Sequence, residues 1–100
     1  MRLFYRPAAV DDIESAADYI EQELKNPSAA RKLKTNLVRS ISLLKDNPEL
    51  GMKLSEKFDV ESDYRFIVVN KQIVFYEIQP DYIEIVRVLD GRTDYLTHLF

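Results

Sequence analysis

Two arginines lie in stretches that otherwise read as apolar strands. Arg65 sits in Tyr64-Arg65-Phe66-Ile67-Val68-Val69, and Arg87 sits between Val86 and Val88. A guanidinium in such a run costs free energy unless it is paired or faces an open groove. Two readings follow. Either both arginines bind phosphate on an open sheet face, or each makes an ion pair, with Glu77 or Glu84, that holds strand register. Arg92 follows Gly91 in a turn, where it reads as an exposed charge or an anion contact. Tyr95 has three options: donating a proton, stacking on a base, or packing its ring over the sheet edge. His98, the only histidine, is of a residue type suited to general acid–base work, but it lies two residues from a terminus that is expected to fray. Lys53, Glu56 and Lys57 are spaced so that one loop can present them together.

These residue types suit RNA cleavage without a metal. The 2′-hydroxyl must lose a proton, the pentacoordinate oxyanion needs positive charge, and the leaving oxygen needs a proton. The charge balance argues against that chemistry. The net charge is −3, with 14 Lys and Arg against 17 Asp and Glu. Lys53 and Lys57 are separated by Glu56 and followed by Asp59, Glu61 and Asp63, whereas phosphate binding strengthens with each added basic group. Arg31, Lys32, Arg39 and Lys45 form a second basic feature, which reads as a solvated helix face or as a surface for an acidic partner or a nucleic acid.

Other chemistries are excluded more simply. Without cysteine there are no disulfides, thiolate metal sites or thiol nucleophiles. The acids Asp11, Asp12, Glu21 and Glu23 lack metal-ligand spacing, and no phosphate loop, zinc signature or nucleophile elbow is present, so no metal or cofactor is expected. No apolar run approaches the roughly 18 residues of a membrane span. The N-terminus lacks a signal-peptide core, and the expected location is the cytoplasm.

The elements that position these residues follow from periodicity. One hundred residues, 46% apolar and 31% charged, suit one globular domain over residues 1–100. Residues 2–6 read as a strand ended by Pro7, expected to join one sheet edge. Val10, Ile13, Ala17, Ile20 and Leu24 mark one face of a helix over 8–25, with Asp11, Asp12 and Glu14 near its positive end. Asn26-Pro27-Ser28 interrupts the pattern, with Ser28 the expected N-cap of a second helix. The buried stripe of that helix is Ala30, Leu33, Leu37, Ile41 and Leu44. Residues 46–51 form a turn cluster and 52–63 a loop. Strands are expected over 64–69, 72–78 and 82–89. Asn70-Lys71 makes a two-residue hairpin turn between the first two, and residues 93–99 form a last helical turn. The order is β-αα-βββ, an α+β architecture with an antiparallel sheet packed on a helical hairpin. Aromatics concentrate in the sheet half, whose open face would need a cover.

Several of these segments resemble the RelE/ParE toxin superfamily of type II toxin–antitoxin systems. Ala16-Ala17-Asp18-Tyr19-Ile20-Glu21 resembles its first helix, and Leu43-Leu44-Lys45-Asp46-Asn47-Pro48-Glu49-Leu50-Gly51 its exit from the second. Tyr64-Arg65-Phe66 and Val74-Phe75-Tyr76-Glu77-Ile78 resemble two of its sheet strands. The closest likeness is in Ile83-Glu84-Ile85-Val86-Arg87-Val88-Leu89-Asp90-Gly91-Arg92-Thr93-Asp94-Tyr95, its closing strand and tail. The mixed charge of this tail is nearer the ParE-like branch. That branch implies growth arrest through binding and inhibition of DNA gyrase, neutralised by a cognate antitoxin, with Arg87, Arg92, Tyr95, Lys53 and Lys57 as target-binding residues. The RelE-like alternative implies an mRNA endonuclease acting on the ribosome, with Arg65, Arg87 and Tyr95 catalytic. A third reading is a non-toxic interaction module of the same fold.

Overall fold

The computed structural model describes all of residues 1–100. A short strand, β1 (Arg2–Tyr5), leads into α1 (Pro7–Asp18). Pro7 serves both, because it ends the ladder and fits the first helical position, where no N–H is needed. The helix then widens into a π turn over Tyr19–Glu23. The turn closes through Leu24 N–H donating to the Tyr19 carbonyl at 3.3 Å and Asn26 N–H to that of Ile20 at 3.1 Å. Lys25 takes a left-handed conformation, φ 51°, the C-terminal stop that glycine usually supplies.

The second helix, α2 (Pro27–Ser42), is capped by Asn26 rather than Ser28: the Asn26 Oδ1 accepts from Ala29 N–H at 3.1 Å. Pro27 fixes the first helical position, so the cap falls one residue before it. The buried stripe Ala30, Leu33, Leu37, Ile41 and Leu44 is as expected. On α1, Ala9, Ile13 and Ala17 are buried, while Val10 on the same helix and Leu24 after the π turn are exposed. Val10 falls on the outer side of the hairpin, and Leu24 lies beyond the regular helix, where the π turn has shifted the phase.

Residues 52–63 hold more structure than a loop. They contain β2 (Met52–Lys53) and a helical turn, α3 (Leu54–Lys57). The meander follows as β3 (Arg65–Val69), β4 (Gln72–Ile78) and β5 (Tyr82–Asp90), then a terminal turn, α4 (Tyr95–Leu99). Asn70 adopts φ 50° in the β3–β4 turn, which asparagine tolerates. Sheet order is β1-β5-β4-β3-β2. The sheet is mixed, not wholly antiparallel, because β1 joins the β5 edge in parallel, Arg2 beside Tyr82 through Tyr5 beside Ile85. A β-bulge falls where Phe75 pairs Arg87 but Tyr76 pairs Ile85, leaving Val86 extra.

The sheet is covered on both faces. The helices bury Ile13, Leu37, Ile41, Val74, Tyr76, Ile83 and Ile85 with their neighbours. On the other face Leu54, Phe66, Ile73, Phe75, Val86 and Leu89 form a second cluster, closed by Phe58, Val60, Tyr64, Tyr95, Leu96 and Leu99. The sheet aromatics expected to need an external cover over this face are therefore sheltered by the chain's own α3 loop and tail.

Candidate functional site

The β5 edge is the organising feature. Pairing with β1 ends at Ile85, and beyond that point α1 crosses the strand. There Asp12 replaces the missing strand partner. Its carboxylate accepts from Arg87 Nε at 2.7 Å, from Arg87 Nη2 at 2.8 Å and from Val88 N–H at 2.9 Å. One side chain thus satisfies a bidentate guanidinium and a backbone donor of the bulged strand. The hydrogen bond to Asp12 outweighs partial burial and raises the pKa of Arg87 further. The partner is not Glu77 or Glu84, the expected ones; Glu84 pairs with Arg6 at 2.7 Å.

Arg65 is also engaged. Its Nη1 donates to the Gly51 carbonyl at 2.8 Å. Next to it the buried Tyr76 hydroxyl accepts from Gly51 N–H at 2.8 Å and donates to the Pro48 carbonyl at 2.7 Å. Burial raises the pKa of this phenol. The network fastens the exit of α2 to the middle of the sheet. It also explains Gly51: a Cβ there would lie 2.6 Å from both the Phe66 carbonyl oxygen and the Tyr76 hydroxyl.

Arg92 is exposed, as expected, and folds back on Asp90. Its backbone N–H and Nε donate to Asp90 Oδ1 at 2.8 and 3.1 Å, and its Nη2 donates to Oδ2 at 2.9 Å. Those bonds hold the Asp90 carboxyl down at about 2. Tyr95 packs its ring on Phe75 at 5.4 Å and Phe58 at 5.8 Å between centroids. It closes the second cluster rather than the sheet edge. Lys57 Nζ lies 5.3 Å from the Phe66 ring centroid, a cation–π arrangement. Lys53 is exposed on β2, and His98 is exposed on α4.

The candidate residues therefore fall into separate groups. Arg65 opposes Tyr76 across the ladder, and cross-strand partners share a face, so Arg65 belongs to the helix side. Tyr95 belongs to the other side. Arg87 and Tyr95 both neighbour Phe75, but no hydrogen bond joins any two of Arg65, Arg87 and Tyr95. All three candidate guanidiniums already have an internal acceptor. Sequence reasoning missed Asp12 as the partner of Arg87, and nothing local distinguishes it from Asp11. It also passed over Tyr76, although a tyrosine in a buried strand needs a partner for its hydroxyl.

The family model described as "ParE toxin of type II toxin-antitoxin system, parDE" matches residues 3–95. Among solved structures, a chain of the chromosomal ParDE TA system from P. aeruginosa superimposes with a TM-score of 0.73 at 18% identity. The match covers 90% of this chain and 95% of that one. No curated protein matches. No helix is long and apolar enough to cross a membrane.

Proposed function

The chain belongs to the ParE toxins of type II toxin–antitoxin systems, and on that premise we propose that it arrests growth by binding and inhibiting DNA gyrase and is neutralised by a cognate antitoxin. Residues 1–100 act as one toxin domain. The target surface is the end of β5 with its tail and the adjoining loop: Arg87, Arg92 and Tyr95 with Lys53 and Lys57. Within that set Arg87 and Tyr95 shape the surface from below, whereas Arg92, Lys53 and Lys57 present charge to the target.

The observation that carries a binding mode over a cleaving one is the occupancy of the arginines. Arg87 is held by Asp12 and Arg65 by the Gly51 carbonyl, so using them on a scissile phosphate means breaking both ties. A ribosome-dependent mRNA endonuclease built on Arg65, Arg87 and Tyr95 would also need groups from opposite sides of the sheet to converge.

Expression in a bacterial host tests the proposal. Growth arrest with relaxed plasmid DNA and intact mRNA is the expected outcome. Codon-positioned cuts in translated mRNA, lost in Arg65→Ala and Arg87→Ala variants that remain folded, would overturn it in favour of the endonuclease. Unimpaired growth would point to the non-toxic module.

A further inference from the structure

The hairpin of α1 and α2 turns one side away from the sheet, and its two helices carry opposite charges there. The hydrogen bond from Lys34 Nζ to Glu14 at 2.9 Å fixes how the helices run past each other. They are antiparallel, so one turn back on α1 and one turn on along α2 the seam brings Val10 level with Val38. Both are apolar side chains left open, 44% and 53% exposed. At 3.6 residues per turn, Asp11 and Asp18 lie beside Val10 and Glu14 on the outward side of α1, and Arg31 and Arg39 lie beside Lys34 and Val38 on that of α2. All four are exposed, and none makes a salt bridge within the chain. The pKa of Lys34 is raised by its hydrogen bond to Glu14 and then by the charges of Asp18 and Glu21, which sets an acidic row along α1 facing the seam.

We propose that this face seats a second copy of the chain, hairpin against hairpin, with Val10 on the partner's Val38 between two ion pairs, Asp11 to the partner's Arg39 and Asp18 to the partner's Arg31. Charge selects the symmetry axis. A two-fold axis lying across the helices would set α1 on the partner's α1, acid on acid. An axis along the seam keeps each residue at its own height and sets α1 on the partner's α2, with every contact made twice. The heights agree. By the count that the Glu14–Lys34 bond fixes, Asp18 stands level with Ala30 and Asp11 with Leu37, so Arg31 and Arg39 are off by no more than about 3 Å of helical rise.

A nucleic acid on Arg31 and Arg39 fits less well, because the acidic row of α1 stands about one helix spacing away, roughly 10 Å, and repels phosphates. The face is small. Helices of 12 and 16 residues are about 18 and 24 Å long and together about 20 Å wide, so roughly 400 Å² is covered on each copy. That is about half of a standard interface, and the dimer is therefore weak, with Kd on the order of 100 µM. Tyr95 and the second apolar cluster lie across the sheet, so pairing leaves them open. The inference depends on neither the gyrase target nor the antitoxin.

Sedimentation equilibrium of the full chain, from about 10 µM to 1 mM, tests it. Wild type is expected to dimerise, with Kd weakened at least about fivefold between low and high salt. Asp11→Lys/Asp18→Lys makes the face wholly basic and is expected to weaken Kd at least about tenfold. Adding Arg31→Glu/Arg39→Glu to that chain restores opposite charges with the helices exchanged, and is expected to recover Kd to within about threefold of wild type. Val10→Glu/Val38→Glu is expected to abolish dimerisation. Thermal midpoints close to that of wild type confirm that the variants are folded. A wild type that stays monomeric to about 1 mM, or one that dimerises with all three variants within threefold of it, would overturn the proposal. An oligonucleotide retained by monomeric wild type and lost in Arg31→Glu/Arg39→Glu would overturn it in favour of a nucleic-acid surface.

Discussion

Replacing Asp12 by alanine removes three hydrogen bonds at once, and their separate costs can be worked out. Val88 is 2% exposed, so its N–H cannot turn to water. An orphaned buried donor costs about 1–3 kcal/mol. The Arg87 side chain is 26% exposed, so it recovers part of its hydration. Losing its bidentate partner therefore costs about 1 kcal/mol, below the figure for a fully buried pair. The expected loss is about 2–4 kcal/mol, a large share of the 5–15 typical of a domain. It should lower the thermal midpoint by roughly 10–25 °C. Asp12→Asn, which keeps an acceptor for Val88, should lose about half as much. Urea denaturation of Asp12→Ala, Arg87→Met and the double variant completes a cycle with an expected coupling of about 1 kcal/mol. A coupling below about 0.5 kcal/mol would refute the reasoning. It would mean that Arg87 is free in solution and available to a phosphate.

Tyr76→Phe should destabilise by about 1–3 kcal/mol in urea melts, because it strands Gly51 N–H and the Pro48 carbonyl together. Gly51→Ala should cost about 2–4 kcal/mol, since its Cβ meets backbone oxygen at 2.6 Å. Asp90 titrates at about 2 in the fold against an ordinary 3.8. Its folded pKa is depressed, so its contribution is present above pH 4 and is lost as pH falls from 4 toward 2. Carboxyl NMR titration should find that low midpoint in wild type, and it should rise toward the ordinary value in Arg92→Ala. Lys25→Gly should stabilise by about 0.5–1 kcal/mol by relieving the left-handed residue at φ 51°, read as a higher denaturation midpoint.

The sequence revealed most where a local rule decides the outcome. The α2 stripe from Ala30 to Leu44 was legible because every third or fourth residue is apolar and the whole stripe meets the sheet. The meander was legible because Asn70-Lys71 leaves room for only one kind of turn. Val10 and Leu24 fit the α1 period equally well yet stay exposed, because periodicity gives a face and not what covers it. The cap at Asn26 was misplaced by two residues because the proline between the two candidates was read as a breaker rather than as the first helical position. The parallel β1–β5 pair depends on which edge is vacant after the meander forms, a tertiary condition. The site was less legible than the fold. That Arg65 and Arg87 require partners followed from their apolar surroundings. The partners did not follow: one is a backbone carbonyl 14 residues away and the other a carboxylate 75 residues away, reached only because α1 crosses the β5 edge beyond the end of β1.

Inhibition by binding is tested most directly by a supercoiling assay with purified gyrase. Titrating the chain into the assay should slow ATP-dependent supercoiling in proportion to the toxin added, and the charge reversal Arg92→Glu/Lys53→Glu/Lys57→Glu should shift the half-inhibitory concentration upward by about tenfold or more. Supercoiling that proceeds unchanged at a large molar excess of folded toxin would contradict the account.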